Sequence, residues 1–188
     1  GGFIDETQVD KWALYEIARY CDELVDDGFG GFEPRMTCNI YFQTREEAYK
    51  VLNDMTTIFR GMAYWTSGSV TAVQDAPKDA EYLFTNSNVV DGMFSYSGAS
   101  SKAKHTVALV AWNDPEDFYR QKIEYVEDQE AIATYGIITT EVTAVGCTSR
   151  GQANRVGRWL LYTEQNESRV VSFKTGTEAA ILRPGQIV

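Results

Sequence analysis

Cys147 and Ser149 are nucleophile-type side chains beside a helix start, in Gly146-Cys147-Thr148-Ser149. A nucleophile needs a base, and the chain holds one histidine, His105, at the head of a strand-like run with no serine or cysteine motif near it. Glu124, Glu127, Asp128 and Glu130 gather around one strand end and are the carboxylate type a glycosidase uses. In a chain this acidic, such clusters are ordinarily solvated faces. Asp26-Asp27-Gly28 invites a calcium reading, yet the alternating oxygen ligands and closing glutamate of an EF-hand are missing. Gly28-Phe29-Gly30-Gly31 follows a helix and precedes a strand, the wrong context for a dinucleotide loop. HExxH, paired CxxC, GxxxxGK[ST] and GxGxxG are absent. No catalytic residue, metal or cofactor follows from the sequence. Tyr64, Trp65, Tyr82, Phe84, Phe94, Tyr96 and Trp112 could line a sugar groove, although core packing suits them as well.

The elements that would position these residues can be read in order. Val9, Trp12, Ala13, Ile17, Ala18, Cys21 and Leu24 recur at helical spacing, predicting a helix over 8–24 with one apolar face. Met36–Phe42 alternates like a strand. Thr44 and Glu47 have capping-box spacing before a helix with a buried stripe of Ala48, Val51, Leu52, Met55, Ile58 and Phe59. Met62–Thr66 and Ser69–Gln74, joined at Ser67-Gly68, read as a hairpin.

The polar stretch 75–91 marks a seam. Beyond it the pattern is mostly β. Gly92–Tyr96 is a candidate strand, and Lys104–Trp112 pairs with Phe118–Val126 around an Asn-Asp-Pro turn. Gln129–Tyr135 is a short helix closed by Gly136, and Ile137–Val145 is a strand. Ser149 and Gln152 form a second capping box, opening a helix over 150–164 with Ala153, Val156, Trp159 and Leu160 as its stripe. Ser168–Phe173 closes the series as a strand.

The expected class is α+β, with a helix-strand-helix-hairpin subdomain at 1–75, a connecting segment at 76–92, and a mainly β, barrel-like antiparallel subdomain with packed helices at 93–188.

Seventeen basic against 27 acidic residues leave a net charge of −10. Such a surface repels phosphate and argues against specific nucleic-acid binding. The sequence shows no basic patch beyond Arg150, Arg155 and Arg158, strung along one helix as a solvated or subunit-facing set. No apolar run approaches a membrane span, so no membrane insertion is expected. Three widely spaced cysteines argue against a disulfide framework. Cys21 on a helix and Cys38 in a strand are expected as buried free thiols, made in a reducing cytoplasm. Gly1-Gly2 read as appended residues, and 179–188 as a turn feeding another strand, so the chain is expected to be a piece of a longer protein.

Several separated blocks also carry a resemblance. Asp10-Lys11-Trp12-Ala13-Leu14-Tyr15, Asp27-Gly28-Phe29-Gly30-Gly31, Glu33-Pro34-Arg35 and Gly146–Glu164 together resemble the central tail-tip, host-specificity (lambda J-like) proteins of long-tailed phages. The likeness runs from about Asp10 to Gly185 and is weak over 76–104.

It implies an internal hub domain of a phage or prophage virion protein, without catalytic residues. Such a domain helps form a homotrimeric ring that closes the tail tube during attachment and DNA delivery. It implies partners among other tail-tip and tail-tube proteins, a place at the virion tail tip, and synthesis in the bacterial host cytoplasm. It also makes Arg150, Arg155 and Arg158 candidate subunit contacts. An acidic inner wall would let DNA slide without sticking. The rival readings are a tail-associated cell-wall hydrolase and a carbohydrate-binding module.

Overall fold

In the computed structural model, residues 5–42, 47–66, 68–98, 104–167 and 169–188 are described. The helices are α1 (Lys11–Asp22), α2 (Ala48–Ile58), α3 (Gln129–Tyr135) and α4 (Arg150–Asn166). The strands are β1 (Leu24–Asp26), β2 (Phe32–Pro34), β3 (Gly61–Thr66), β4 (Ser69–Gln74), β5 (Val89–Gly98), β6 (Val107–Asp114), β7 (Arg120–Glu127), β8 (Thr139–Thr143) and β9 (Arg169–Thr175). They form three antiparallel pairs, β1-β2, β3-β4 and β5-β9, and a three-stranded sheet ordered β7-β6-β8. The class is α+β, as the sequence predicts. Each sheet is open among the described residues, and the β6-β8 ladder runs parallel, Val110 opposite Val142.

The core lies where α4 crosses the β7-β6-β8 sheet. Ala108, Val110 and Trp112 alternate along β6, and with Val126 of β7 they face Ala153 and Leu161 of α4, with Cys147 closing the end. Along α4 the buried seam is Ala153, Gly157 and Leu161, each four residues after the last. It is narrower than the predicted stripe, because Val156, Trp159 and Leu160 sit on the flank, half-buried. Small residues at 153 and 157 bring the helix close to the sheet. Burying side chains such as Val110, Val126 and Leu161 contributes about 1.5–3 kcal/mol each.

The hairpin β3-β4 has the predicted register, Thr66 opposite Ser69, with Gly68 at positive φ in the turn. Asp114 and Arg120 close the β6-β7 pair around a 3-10 turn at Pro115–Asp117. Helix α3 has its predicted bounds, with Asp128 accepting from the Ala131 N–H and Gly136 beyond the end. The capping box at Thr44 lies outside the described residues.

Four expectations are corrected. The first helix begins at Lys11 and not at Gln8, because Glu6–Gln8 is a separate 3-10 turn capped by Asp5, while Asp10 caps α1. Trp12 is 80% exposed, since α1 meets β4 through the side carrying Ile17. Met36–Phe42 forms no strand, and Cys38 within it is exposed. On α2 the predicted stripe is half open: Leu52 and Met55 are exposed and Thr56 is the buried residue.

Much apolar surface remains uncovered. The chain exposes 13224 Å², against about 9,000 Å² for a compact monomer of its mass by the usual area scaling. On β7, Ile123 and Tyr125 point away from α4, and with their cross-strand partners Ala111 and Leu109 they form an open face on the sheet.

Candidate functional site

The separated sequence blocks meet at the N-terminus of α4. Ser149 caps the helix, its Oγ accepting from the Gln152 N–H at 3.1 Å. The same hydroxyl donates to the Glu33 carboxylate, which sits against the positive end of the helix. Gly151 makes that approach possible: a Cβ there would lie 2.6 Å from both the Asp27 carbonyl oxygen and Glu33 Oε1. Glu33 Oε1 is also 2.8 Å from Arg155 Nη2, an ion-pair separation without hydrogen-bond geometry. Arg155 Nη2 donates to the Arg35 carbonyl at 3.0 Å.

Gln152 explains the missing strand. Only half the predicted capping box forms, because its side chain turns away to Thr37. The Thr37 N–H donates to Gln152 Oε1 at 2.9 Å, and Gln152 Nε2 donates to the Thr37 carbonyl at 3.0 Å. A side-chain amide thus satisfies both backbone groups that a strand partner would take. Asn39 continues the attachment, its N–H donating to the Gly146 carbonyl and its Nδ2 to Thr148 Oγ1, both at 2.8 Å. Sequence reasoning missed Glu33, Thr37 and the clamp role of Gln152. The available signal was a glycine at the second position of a helix, a mark of close backbone approach.

The loop 26–31 is closed on itself. Asp27 Oδ1 accepts from the Phe29 N–H at 2.7 Å and the Gly31 N–H at 2.9 Å. These bonds, the one from Gly31 foremost, hold the Asp27 carboxyl below its ordinary range. Its oxygens therefore serve a turn.

The other candidates for chemistry have structural partners too. Cys147 is buried, and loss of solvation pushes its thiol up, away from the reactive thiolate. Partial loss of solvation likewise raises half-buried Cys21 and, although it is exposed overall, Cys38. Nδ1 of His105 lies 2.9 Å from Glu164 Oε2, and the His105 N–H donates to that oxygen at 2.9 Å, tying the approach to β6 to the last turn of α4. Glu124, 6% exposed, accepts from Arg150 Nε at 2.7 Å and Asn154 Nδ2 at 3.1 Å. Glu127 accepts from the Tyr125 hydroxyl, and Asp128 caps α3. Among the described residues no group of His, Cys, Asp and Glu could hold a metal ion. The aromatic candidates do not make one platform: Trp112 is core, Tyr82, Phe84 and Phe94 cluster with Phe173, and Trp65 and Tyr96 are exposed.

Of the three arginines singled out on α4, two are engaged within the chain. Arg150 pairs with Glu124 and stacks on Phe29, its guanidinium carbon 4.4 Å from the ring centroid. Arg155 holds Glu33 and the Arg35 carbonyl as described above. Arg158 is exposed and has no ion partner among the described residues. Beside it the fold brings Arg35 and Arg60 to the same groove, a basic lining that the sequence scatters across separate elements.

These features define a class: an α+β structural domain whose polar network locks its own loops to one helix while apolar side chains stay open to solvent. Residues 47–188 match the family model described as "Putative phage tail protein". The chain is 45% identical over 181 residues to the Tip attachment protein J of Escherichia phage SECphi27, covering 96% of this chain and 15% of that protein. It is 36% identical over 189 residues to the Tip attachment protein J of Escherichia phage SECphi4, covering 100% of this chain and 16% of that protein. The chain therefore spans less than a fifth of the length of these curated relatives. It belongs to this family of phage tail proteins. No described helix is long and apolar enough to cross a membrane.

Proposed function

We propose that the chain is a structural hub domain of a phage or prophage tail tip, acting through subunit contacts and not through catalysis. In the parent protein it helps form a homotrimeric ring that closes the tail tube during attachment and DNA delivery, beside other tail-tip and tail-tube proteins. It resides at the virion tail tip after synthesis in the host cytoplasm. The relatives' name, tip attachment protein, supports the location.

The observation that carries the reading is the uncovered surface. An exposed area of 13224 Å², against about 9,000 Å² for a compact monomer, with an apolar patch around Ile123 and Tyr125 on the β6-β7 pair, suits a piece that is finished by its neighbours. The segments 1–75 and 93–188 act as two subdomains joined through 76–92 and locked at the start of α4. Arg158, without an ion partner among the described residues, is the strongest subunit contact of its set, while Arg150 and Arg155 shape the surface around it.

Light scattering over a wide concentration range, on this chain and on the full-length parent, tests the ring. A trimer of the parent is the expected result, and a closed dimer overturns it. Release of soluble fragments from purified peptidoglycan, abolished by one Asp or Glu substitution, would replace the structural reading with a hydrolase.

A further inference from the structure

An acidic chain has gathered four of its arginines around one groove. Arg35 follows β2, Arg60 follows α2, and Arg155 and Arg158 stand on α4; together with Trp159 they line a groove of about 690 Å³. The carboxylates in its lining are Asp75 and Glu167. Asp75 Oδ2 is already engaged, accepting from the Trp159 indole N–H at 3.0 Å.

Arg35 and Arg155 have ion partners in Glu23 and Glu33. Arg60 and Arg158 have none among the described residues, and Arg60 lies over the Trp159 ring, 5.6 Å from its centroid. Among the described residues, the Nε atoms of Arg35, Arg60 and Arg155 are buried without an acceptor, and all three residues belong to this groove. Buried donors are ordinarily paired. Four guanidiniums against two carboxylates leave the lining with an excess of positive charge, and that excess is what a partner's carboxylates would meet.

We propose that this groove docks an acidic peptide segment of a partner chain, its carboxylates meeting Arg60 and Arg158 while an apolar or aromatic side chain lies against Trp159. Guanidinium forks match carboxylates in two-point geometry, and a stacked arginine loses little freedom in binding one. Val156 and Ile58 in the lining provide apolar surface for the rest of a peptide. A nucleic-acid backbone fits less well, because the net charge of −10 repels a polyanion before it reaches so small a basic area. A short acidic segment meets the arginines within a screening length, where the local charge dominates. The proposal rests on the reading of α4 as a contact helix and names the chemistry of its partner; it does not depend on the ring.

The probe is a fluorescent Glu-Tyr copolymer short enough to lie within a screening length, compared with Glu-only and thymidylate oligomers of equal length by anisotropy at low and moderate salt. Saturable binding of the copolymer, tighter than either comparator and weakened by salt, is expected. Arg158→Glu should lower the affinity at least about tenfold, whereas Arg120→Glu, the same charge change on β7 away from the groove, should leave it within about twofold. Arg60→Gln should act like the first variant; if it fails to fold, exposed Arg158 still decides.

No saturable copolymer binding, equal loss in both charge reversals, or preference for oligothymidylate overturns the proposal. Self-association that Arg158→Glu abolishes, without copolymer binding, overturns it in favour of a second copy of the chain. Light scattering on the full-length parent separates the two readings: a monomeric parent with a chain that binds the copolymer removes the ring and keeps the groove, and a trimeric parent with a chain that ignores it does the reverse.

Discussion

Gly151 and Gly157 reverse the usual rule for glycine within a helix. Replacing an exposed helical glycine by alanine ordinarily stabilises by about 0.5–1 kcal/mol. Here a Cβ at 151 would meet the Asp27 carbonyl and Glu33, and one at 157 would lie 2.7 Å from Val126 Cγ2 and 3.0 Å from Val110 Cγ2. Gly151→Ala and Gly157→Ala should therefore each destabilise by about 1–3 kcal/mol, read as a fall in the denaturant midpoint at unchanged slope; a rise in midpoint would refute the close approach. Asp27 supplies a pH prediction at the same scale. Its folded-state value lies below the ordinary one, so its stabilisation is complete above the usual aspartate range near about pH 4. It is lost as pH falls below that range through the depressed value. Titrating the Phe29 and Gly31 amide shifts should show a midpoint below the usual aspartate range, and Asp27→Asn should abolish the transition.

At the scale of elements, α4 organises the fold by offering its inner face to a sheet and its N-terminus to two loops. The consequence is testable in the segment that has the alternation of a strand without the ladder. The Thr37 and Asn39 amides, bonded to Gln152 and Gly146, should exchange with solvent as slowly as strand amides. Gln152→Ala should speed exchange at Thr37 first and cost about 1–3 kcal/mol, the penalty for stranding buried backbone groups. Fast exchange at Thr37 in the unaltered chain would show that the clamp does not hold. Helices α3 and α4 were legible because capping side chains, spacing and glycine act locally. The strand predicted at Met36–Phe42 was not, because alternation reports a half-buried extended chain without saying whether a strand or a glutamine side chain completes its bonds.

Over the whole molecule, the open face around Ile123 and Tyr125 is where the proposed subunit contacts can be tested. Ile123→Ser and Tyr125→Ser should alter unfolding free energy by no more than about 0.5–1 kcal/mol, since both side chains are already exposed. They should nonetheless reduce concentration-dependent association in sedimentation runs. Unchanged association would move the contact to another face.

The sequence by itself determined the α+β class, the hairpin, the capped helix at Arg150, the acidic character and the absence of the common catalytic motifs, all of which depend on composition or on neighbours a few residues apart. Its separated blocks also pointed to the phage tail family, although nothing in their spacing says that they touch. Tertiary structure alone decided that Glu33, Thr37 and Asp27 converge on one helix end, that Arg150 and Arg155 are engaged while Arg158 has no ion partner among the described residues, and that Arg35 and Arg60 join Arg155 and Arg158 around a groove. Those pairings link residues far apart in the chain, where charge and distance act through space and sequence spacing carries no information about either.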